Sequence, residues 1–393
     1  MILDNGMSDS YNSQVQALGV GIMAKVPTLM WGPPGVGKSS VVDQIARFYK
    51  IHNETVMANI REASDFAGLP AVIQNEVHFA PPSWVKNLQR AAESGKQTLT
   101  FYDEISTARP EVRAAMLRPI LEGVVGDEKL PDDVITIGAA NHPDIAAGGW
   151  DIDAPTANRF LHIDWDVTVS DMAYGLARGW PPVMLPLVHR QKWERVEEAK
   201  RLMAAYILAR PDHIKSGTPD LMGSNKASDY AFPSSRSLEF ASILYGFAKS
   251  VKFVNPLDNS KHNISDMALE RLMTGIIGEA AGHDFLTFVN DLDLPNPQDL
   301  LNRPSSFVVP QRSDILNAII YSVEYEATKE QPITADTWTN WGEILVAVLD
   351  AGYSDVAYSS GKIWMRNRPQ GVNIPRNQVS SFKNLFEKLD QAI

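Results

Sequence analysis

Thr28-Leu29-Met30-Trp31-Gly32-Pro33-Pro34-Gly35-Val36-Gly37-Lys38-Ser39-Ser40 decides the architecture. A short apolar run of strand type stops at a Gly/Pro turn. Beyond Lys38, residues Val41, Val42, Ile45, Ala46 and Tyr49 recur at helical spacing, which makes strand, tight loop, helix. Gly32 to Ser39 satisfies the Gly-x4-Gly-Lys-Ser pattern. Glycines let a backbone wrap closely around a polyphosphate, with successive N–H groups and the following helix terminus aimed at its oxygens. Lys38 is spaced to reach the β- and γ-phosphates, and the Ser39 hydroxyl to hold Mg²⁺. Residues Gly32 to Ser40 are thus expected to bind ATP or ADP with Mg²⁺.

Further strands are expected over Thr55–Ile60, Gln97–Tyr102, Val134–Ala140 and Phe160–Trp165, with helices near Pro82–Ser94 and Pro110–Glu122. Strands separated by helix-sized intervals indicate an α/β domain with a mainly parallel sheet, whose ligand sites collect along the carboxyl edge. Lys38, the Asp103–Glu104 pair and Asn141 all fall at such strand ends. Asp103 would hold Mg²⁺ largely through its water shell. Glu104 would polarise the attacking water, and Asn141 would orient it. His142, in an Asn-His-Pro turn, reads as a turn or packing residue.

Composition narrows the classes. With 393 residues, 44% hydrophobic and 21% charged, the chain has the makeup of folded domains, which excludes a wholly disordered or fibrous protein. Its 36 Lys and Arg against 47 Asp and Glu leave a formal charge of −11, no general attraction for a phosphate backbone. The absence of cysteine excludes disulfides, iron–sulfur ligation and cysteine nucleophiles. No uninterrupted apolar stretch approaches the roughly 20 residues of a membrane span. Asp4, Asn5, Ser8 and Asp9 do not look like a secretory signal. A cytoplasmic protein without membrane insertion is the expectation.

Beyond about residue 168 the pattern turns helical, at Val196–Ala209, Ser237–Lys252, Ile264–Ile277 and Arg312–Tyr325. We expect an α/β domain over 1–168, a linker over 169–189, a helical lid over 190–330 and a C-terminal extension over 331–393. In that extension Trp338–Leu349 and Ser380–Gln391 look helical, and Gly361–Met365 suggests a short strand. A transferring phosphoryl group spreads negative charge, so a cation beyond Lys38 is wanted. Arg159, just before the last strand, could reach a neighbouring subunit's nucleotide, with Arg109, Arg113 and Arg118 as competitors. Arg236, at the start of a lid helix, could report the γ-phosphate from the same chain.

Five stretches in order resemble the AAA+ ATPases, and within them the MoxR-like group: Gly32–Ser39, Leu99–Glu104, Gly138–Pro143, Ala157–Phe160 and Phe232–Leu238. They are similar to Walker A, Walker B, sensor 1, the arginine-bearing segment and sensor 2. The resemblance implies a five-stranded parallel sheet of order 5-1-4-3-2, a helical lid and a homo-oligomeric ring, usually a hexamer. It also implies ATP between subunits and an arginine finger across the interface. Asp65–Pro70 looks like the family's Asp-x-x-Gly segment, which would make Ala71–Pro82 its pore-facing insert hairpin. Two departures stand out. Glu104 is followed by Ile105-Ser106-Thr107-Ala108-Arg109 where the family has Ile/Leu-Asn-Arg, and Ala157-Asn158-Arg159-Phe160 replaces Leu-Asp-Arg-Phe.

The function so implied is an ATP-hydrolysing, chaperone-like remodelling ATPase acting on protein clients, with a von Willebrand factor A domain protein as a plausible partner. A nucleic-acid-dependent motor is the alternative. Its densest basic stretch, Arg190–Arg201, is interrupted by Glu194, Glu197 and Glu198 and reads as a mixed-charge helix. A nucleotide-gated scaffold with slow hydrolysis is the third reading, disfavoured by Glu104 and Asn141.

Overall fold

The computed structural model describes residues 6–143, 152–212, 226–255, 259–292, 294–376 and 378–383. The chain divides into two compact units, one of residues 1–199 and 212–286, the other of 200–211 and 287–393.

The first unit is built on five parallel strands: β1 (Thr28–Trp31), β2 (His52–Met57), β3 (Thr98–Asp103), β4 (Ile135–Ala140) and β5 (Leu161–Asp164). Their order across the sheet is β2-β3-β4-β1-β5, which is 5-1-4-3-2 read from the other edge. Two antiparallel hairpins interrupt the chain between these strands, at Leu69–Ile73 with Glu76–Ala80 and at Val124–Val125 with Glu128–Lys129. Counting every strand along the chain, the same sheet therefore runs 2-5-8-1-9.

Helices α1 (Asp9–Ala24), α2 (Lys38–Tyr49), α3 (Ser83–Glu93) and α4 (Pro110–Glu122) accompany the sheet. Leu29, Trp31, Val56, Phe66, Trp84, Tyr102 and Phe160 belong to one buried cluster. The N-terminal stretch, whose sequence reads as a polar lead-in followed by a short helix around Val15 to Lys25, is helical already from Asp9, capped by the Ser8 hydroxyl, with Asn12, Ser13, Gln14 and Gln16 buried. These polar groups are tolerated because they are bonded. Gln14 exchanges two hydrogen bonds with the Asp166 backbone, at 2.6 and 2.9 Å, and Gln16 accepts from the Ser265 N–H at 2.9 Å.

The segment expected as a linker contains helix α5 (Val169–Arg178). Burial tends to raise the Asp171 pKa, but hydrogen bonds from Thr168 and Ser8 outweigh it and hold the carboxyl below its usual range. One side chain thus ties the N-cap of α1 to the N-cap of α5.

Helices α6 (Lys192–Ala209), α7 (Ser235–Ser250) and α8 (Asp266–Ile277) follow. A small antiparallel sheet of Leu187–Val188, Val251–Val254 and Lys261–His262 lies where no strand was expected. Two-residue strands carry no readable alternation, and Val251–Val254 directly continues a helix.

The second unit is helical. It contains α9 (Ser313–Thr328), α10 (Ala335–Asp350) and α11 (Ser354–Arg366), with a shorter helix at Pro297–Asn302. Leu300, Leu316, Val323, Trp338, Leu345 and Trp364 belong to one hydrophobic cluster, so the boundary expected at 330 cuts through a continuous core. Gly361–Met365 is helix, correcting the expected strand. Val356, Ala357, Ser360, Gly361 and Trp364 are buried at helical spacing. Trp338 and Trp364 stack at 4.4 Å, each donating its indole N–H to the other's backbone carbonyl at 2.8 Å. Of the expected helix Ser380–Gln391, residues 384–391 lie outside the described residues.

Candidate nucleotide site

The sheet register assembles the site. Trp31 ends β1 opposite Ala140 on one side and Asp164 on the other, so Gly32 and Asn141 leave the sheet side by side. The Gly32 N–H donates to the Ala140 carbonyl at 3.2 Å, and Asp103 ends β3 next to that edge. Gly35 and Gly37 take φ of +79° and +93°, and a Cβ at either would meet nothing within 4 Å. The loop is thus an open concavity in a backbone conformation that side chains resist, as a phosphate cradle requires.

Lys38 reaches back over this loop. Its Nζ donates to the carbonyls of Gly32 (2.6 Å) and Pro33 (3.1 Å) and to Asn141 Oδ1 (2.9 Å). Burial lowers its pKa, while the Asp103 and Glu104 carboxylates push it back up. Asn141 completes the line by donating from Nδ2 to Glu104 Oε2 at 3.2 Å, and its N–H donates to Ser106 Oγ at 3.0 Å. Lys38, Asn141 and Glu104 form one continuous hydrogen-bonded chain. Glu104 itself has φ of +59°, a left-handed conformation costing on the order of 1 kcal/mol or more for a non-glycine residue. The Thr107 hydroxyl holds it there, donating to its carbonyl at 3.0 Å and its carboxylate at 3.2 Å.

Ser39 Oγ donates to Asp103 Oδ2 at 2.8 Å, and Asp103 Oδ1 accepts from the Glu104 N–H at 2.9 Å. One hydroxyl and one carboxylate suit a Mg²⁺ that takes its remaining ligands from phosphate and water. Among the described residues there is no cluster of three carboxylate or imidazole ligands that would hold a metal without a substrate.

A cavity of about 360 Å³ adjoins the loop, lined by Val36 and Val41 and by the aromatic side chains of Tyr11, Trp165 and Trp180. Tyr11 lies 5.9 Å, centroid to centroid, from each of the two indoles. Such a cavity suits a planar heterocycle beside the phosphates. Sequence reasoning missed all three aromatics. Tyr11 stands about 150 residues or more from the two tryptophans, with no shared spacing to mark them.

Trp31 stacks on Tyr230 (4.1 Å) and on His142 (5.3 Å), so His142 packs against the strand that carries the phosphate loop. The Trp31 indole Nε1 donates to His162 Nδ1 at 2.9 Å, which leaves the proton on His162 Nε2, donated to the Ala157 carbonyl at 2.8 Å. Burial pushes the His162 pKa down to about 4. The folded state thus keeps this ring neutral while the unfolded chain protonates it below about 6.5. Stability from this group is complete above pH 6.5 and lost as pH falls from there toward 4, by about 3 kcal/mol in all. Thermal melts across that window should show a steeper loss for the wild type than for His162→Gln; equal slopes would refute the assignment.

Arg159 and Arg236 take no part in the hydrogen bonds of the Lys38–Asn141–Glu104 chain. Arg159 is half-buried and bonds the Pro155 carbonyl, and its Nε is buried without a partner. Its pKa is lowered by burial first and by the Arg236 charge second, with Asp153 acting in the opposite sense. Arg236 is exposed at the start of α7, whose Ser234 cap donates to Asn158 Oδ1 at 2.6 Å. Of the competitors, Arg109 is paired with Glu62 at 2.5 Å, Arg118 with Glu122 at 3.5 Å, and Arg113 is buried.

A parallel sheet with a phosphate loop after its first strand, and an acidic pair and an Asn at the adjoining strand ends, defines a P-loop nucleotide-binding domain. Residues 27–160 match the family model of the AAA domain, dynein-related subfamily, so this α/β part of the chain has the AAA+ domain fold. Among solved structures the chain is similar to a candidate ATPase from Cytophaga hutchinsonii, at 16% identity and TM-score 0.43, over 72% of this chain and 90% of that one. It is also similar to a full-length MCM homologue from Methanopyrus kandleri, at 13% identity and TM-score 0.36, over 72% of this chain and 55% of that one. Comparison with curated protein sequences gave no match. No helix among the described residues is long and apolar enough to cross a membrane.

Proposed function

We propose that the protein hydrolyses ATP and uses the cycle, as a ring of the MoxR type, to remodel a protein client. The carrying observation is the Lys38–Asn141–Glu104 chain beside the Ser39–Asp103 pair. Lys38 Nζ sits at the mouth of the loop to neutralise the β- and γ-phosphates. Asn141 links that cation to the carboxylate of Glu104, so occupancy of the loop is felt at the residue that takes the water's proton. Mg²⁺, held by Ser39 and Asp103, would supply charge neutralisation between the phosphates. Asn141 and Thr107 fix the Glu104 carboxylate, which limits the reorientation needed at reaction.

Arg159 is proposed to reach a neighbouring subunit's nucleotide and Arg236 to report the γ-phosphate within its own subunit. In this reading Lys38, Glu104, Asn141, Arg159 and Arg236 serve catalysis, and Gly32 to Ser40 with Asp103 bind Mg-ATP. The lid role of the helices after residue 190 and the pore-facing role of the hairpin at Leu69–Ala80 belong to the same proposal. That hairpin exposes Leu69, Val72, Val77 and Phe79, apolar side chains suited to gripping a polypeptide. A von Willebrand factor A domain protein is the proposed partner.

The test is mass by light scattering on Glu104→Gln protein with and without Mg-ATP. A shift toward six chains supports the ring; a persistent monomer with ATP bound removes it. Arg159→Ala is expected to lower turnover by about 10²-fold or more, the scale of a transition-state arginine. Mixing it with Lys38→Ala distinguishes the geometry. Restored turnover in the mixture places Arg159 at a neighbour's nucleotide, and no restoration keeps it in its own subunit.

A further inference from the structure

A second groove, of about 430 Å³, shares no residue with the nucleotide site. Arg195 on α6, Lys249 at the end of α7, and Lys252 and Lys261 on two strands of the small sheet all line it, with His189 beside them. Four cationic side chains from three stretches of sequence converge on one concavity of a chain whose net charge is −11. No carboxylate lines it among the described residues.

The charges are largely uncompensated. Arg195 pairs with Glu198 at 2.8 Å, but Lys252 donates to the neutral Asn263 at 2.5 Å and Lys249 lies over the Tyr245 ring at 5.2 Å. Among the described residues no carboxylate pairs with Lys249, Lys252 or Lys261. Gathering like charges is unfavourable in the empty groove, and an anionic occupant relieves it.

The backbone narrows the occupant. Leu187–Val188 lines the same groove and pairs only with Val251–Val254, in the register Leu187↔Lys252 and Val188↔Val251. It is an edge strand with an open outer side, and Leu187 is 52% exposed. An extended peptide can add to such an edge through main-chain hydrogen bonds, and its alternate side chains then face one way. Nucleic acid is the poorer fit. The cationic cluster is compact rather than a track, since Glu194, Glu197 and Glu198 flank Arg195 on the same helix. The overall charge also repels a long polyanion more than a short acidic segment.

We propose that this groove docks an extended acidic segment of a partner protein, laid along Leu187–Val188 with its carboxylates on Arg195, Lys249, Lys252 and Lys261. The proposal is independent of the ATPase reading.

The experiment measures fluorescence anisotropy of the full-length protein with a labelled peptide of alternating Asp and Val. A backbone N-methylated version and a labelled oligothymidylate serve as comparisons. Saturable binding is expected to weaken about tenfold in Lys252→Glu/Lys261→Glu, to weaken with salt, and to be lost with the methylated peptide. A thermal melt checks the variant. If the melt is altered, the neutral pair Lys252→Gln/Lys261→Gln should still weaken binding without reversing charge. Absence of saturable binding, affinity unchanged in both variants, or displacement of the peptide by oligothymidylate would each overturn the proposal.

Discussion

Replacing Glu104 by Gln should leave Mg-ATP bound and cut turnover by about 10²–10⁴-fold, the span ordinarily supplied by a general base. The substitution isolates one property. Gln is isosteric, and its amide oxygen can still accept from Asn141 Nδ2 and the Thr107 hydroxyl, which now reach the carboxylate at 3.2 Å each. The left-handed backbone at this position, φ +59°, is unaltered because the side chain carries no branch at Cβ. What disappears is the negative charge and the ability to take a proton from water. Phosphate release per chain and nucleotide affinity by calorimetry measure the two quantities separately. Turnover equal to wild type would remove Glu104 from the chemistry, and loss of both together would mean that it serves binding.

Lys38→Ala is expected to lower nucleotide affinity by about 10²-fold or more, on the scale of one or two charge-assisted hydrogen bonds lost from a sheltered site. Two effects combine. The phosphates lose their cation, and the loop loses the clamp that ties Gly32 and Pro33 to Asn141. Adding Mg-ATP should raise the melting temperature of the wild type, because a ligand that binds only the folded state stabilises it, and should leave Lys38→Ala unmoved. An undiminished shift would place the phosphates elsewhere than the loop. The variant's own melting temperature separates this loss from misfolding, since removing a buried cation also removes its desolvation cost.

Lys38, Ser39, Asp103, Glu104 and Asn141 could be read from sequence because their chemistry depends on short-range order. A phosphate loop needs its glycines and its Lys-Ser within eight residues, and an acidic pair needs only to end a strand. Their convergence follows from strand periodicity, since residues at the carboxyl ends of neighbouring parallel strands must meet. The strand boundaries shifted by a few residues, as at β2, where His52–Met57 replaces Thr55–Ile60. Half-exposed edge strands such as β2 show weak alternation, and hydrogen-bond pairing sets their ends.

Other features depend on contacts distant in sequence. Gly361–Met365 contains the β-branched and aromatic residues of a strand but is helical, because Trp364 packs on Trp338 from a neighbouring helix. Tyr11, Trp165 and Trp180 become one pocket only when α1 folds against the end of β5. Arg195 looked like part of an ordinary mixed-charge helix until the small sheet brought Lys249, Lys252 and Lys261 beside it.

The sequence by itself determined the strand–loop–helix of residues 28–49, the acidic strand end at Asp103–Glu104 and the parallel α/β class, because each is written in local patterns or in the intervals between successive elements along the chain. Only the tertiary structure decided which aromatics flank the phosphate loop, where the helical units divide, and that four cations share a groove. Those depend on which distant faces exclude water together. Burial is a property of pairs of surfaces and leaves no periodic trace in either one alone.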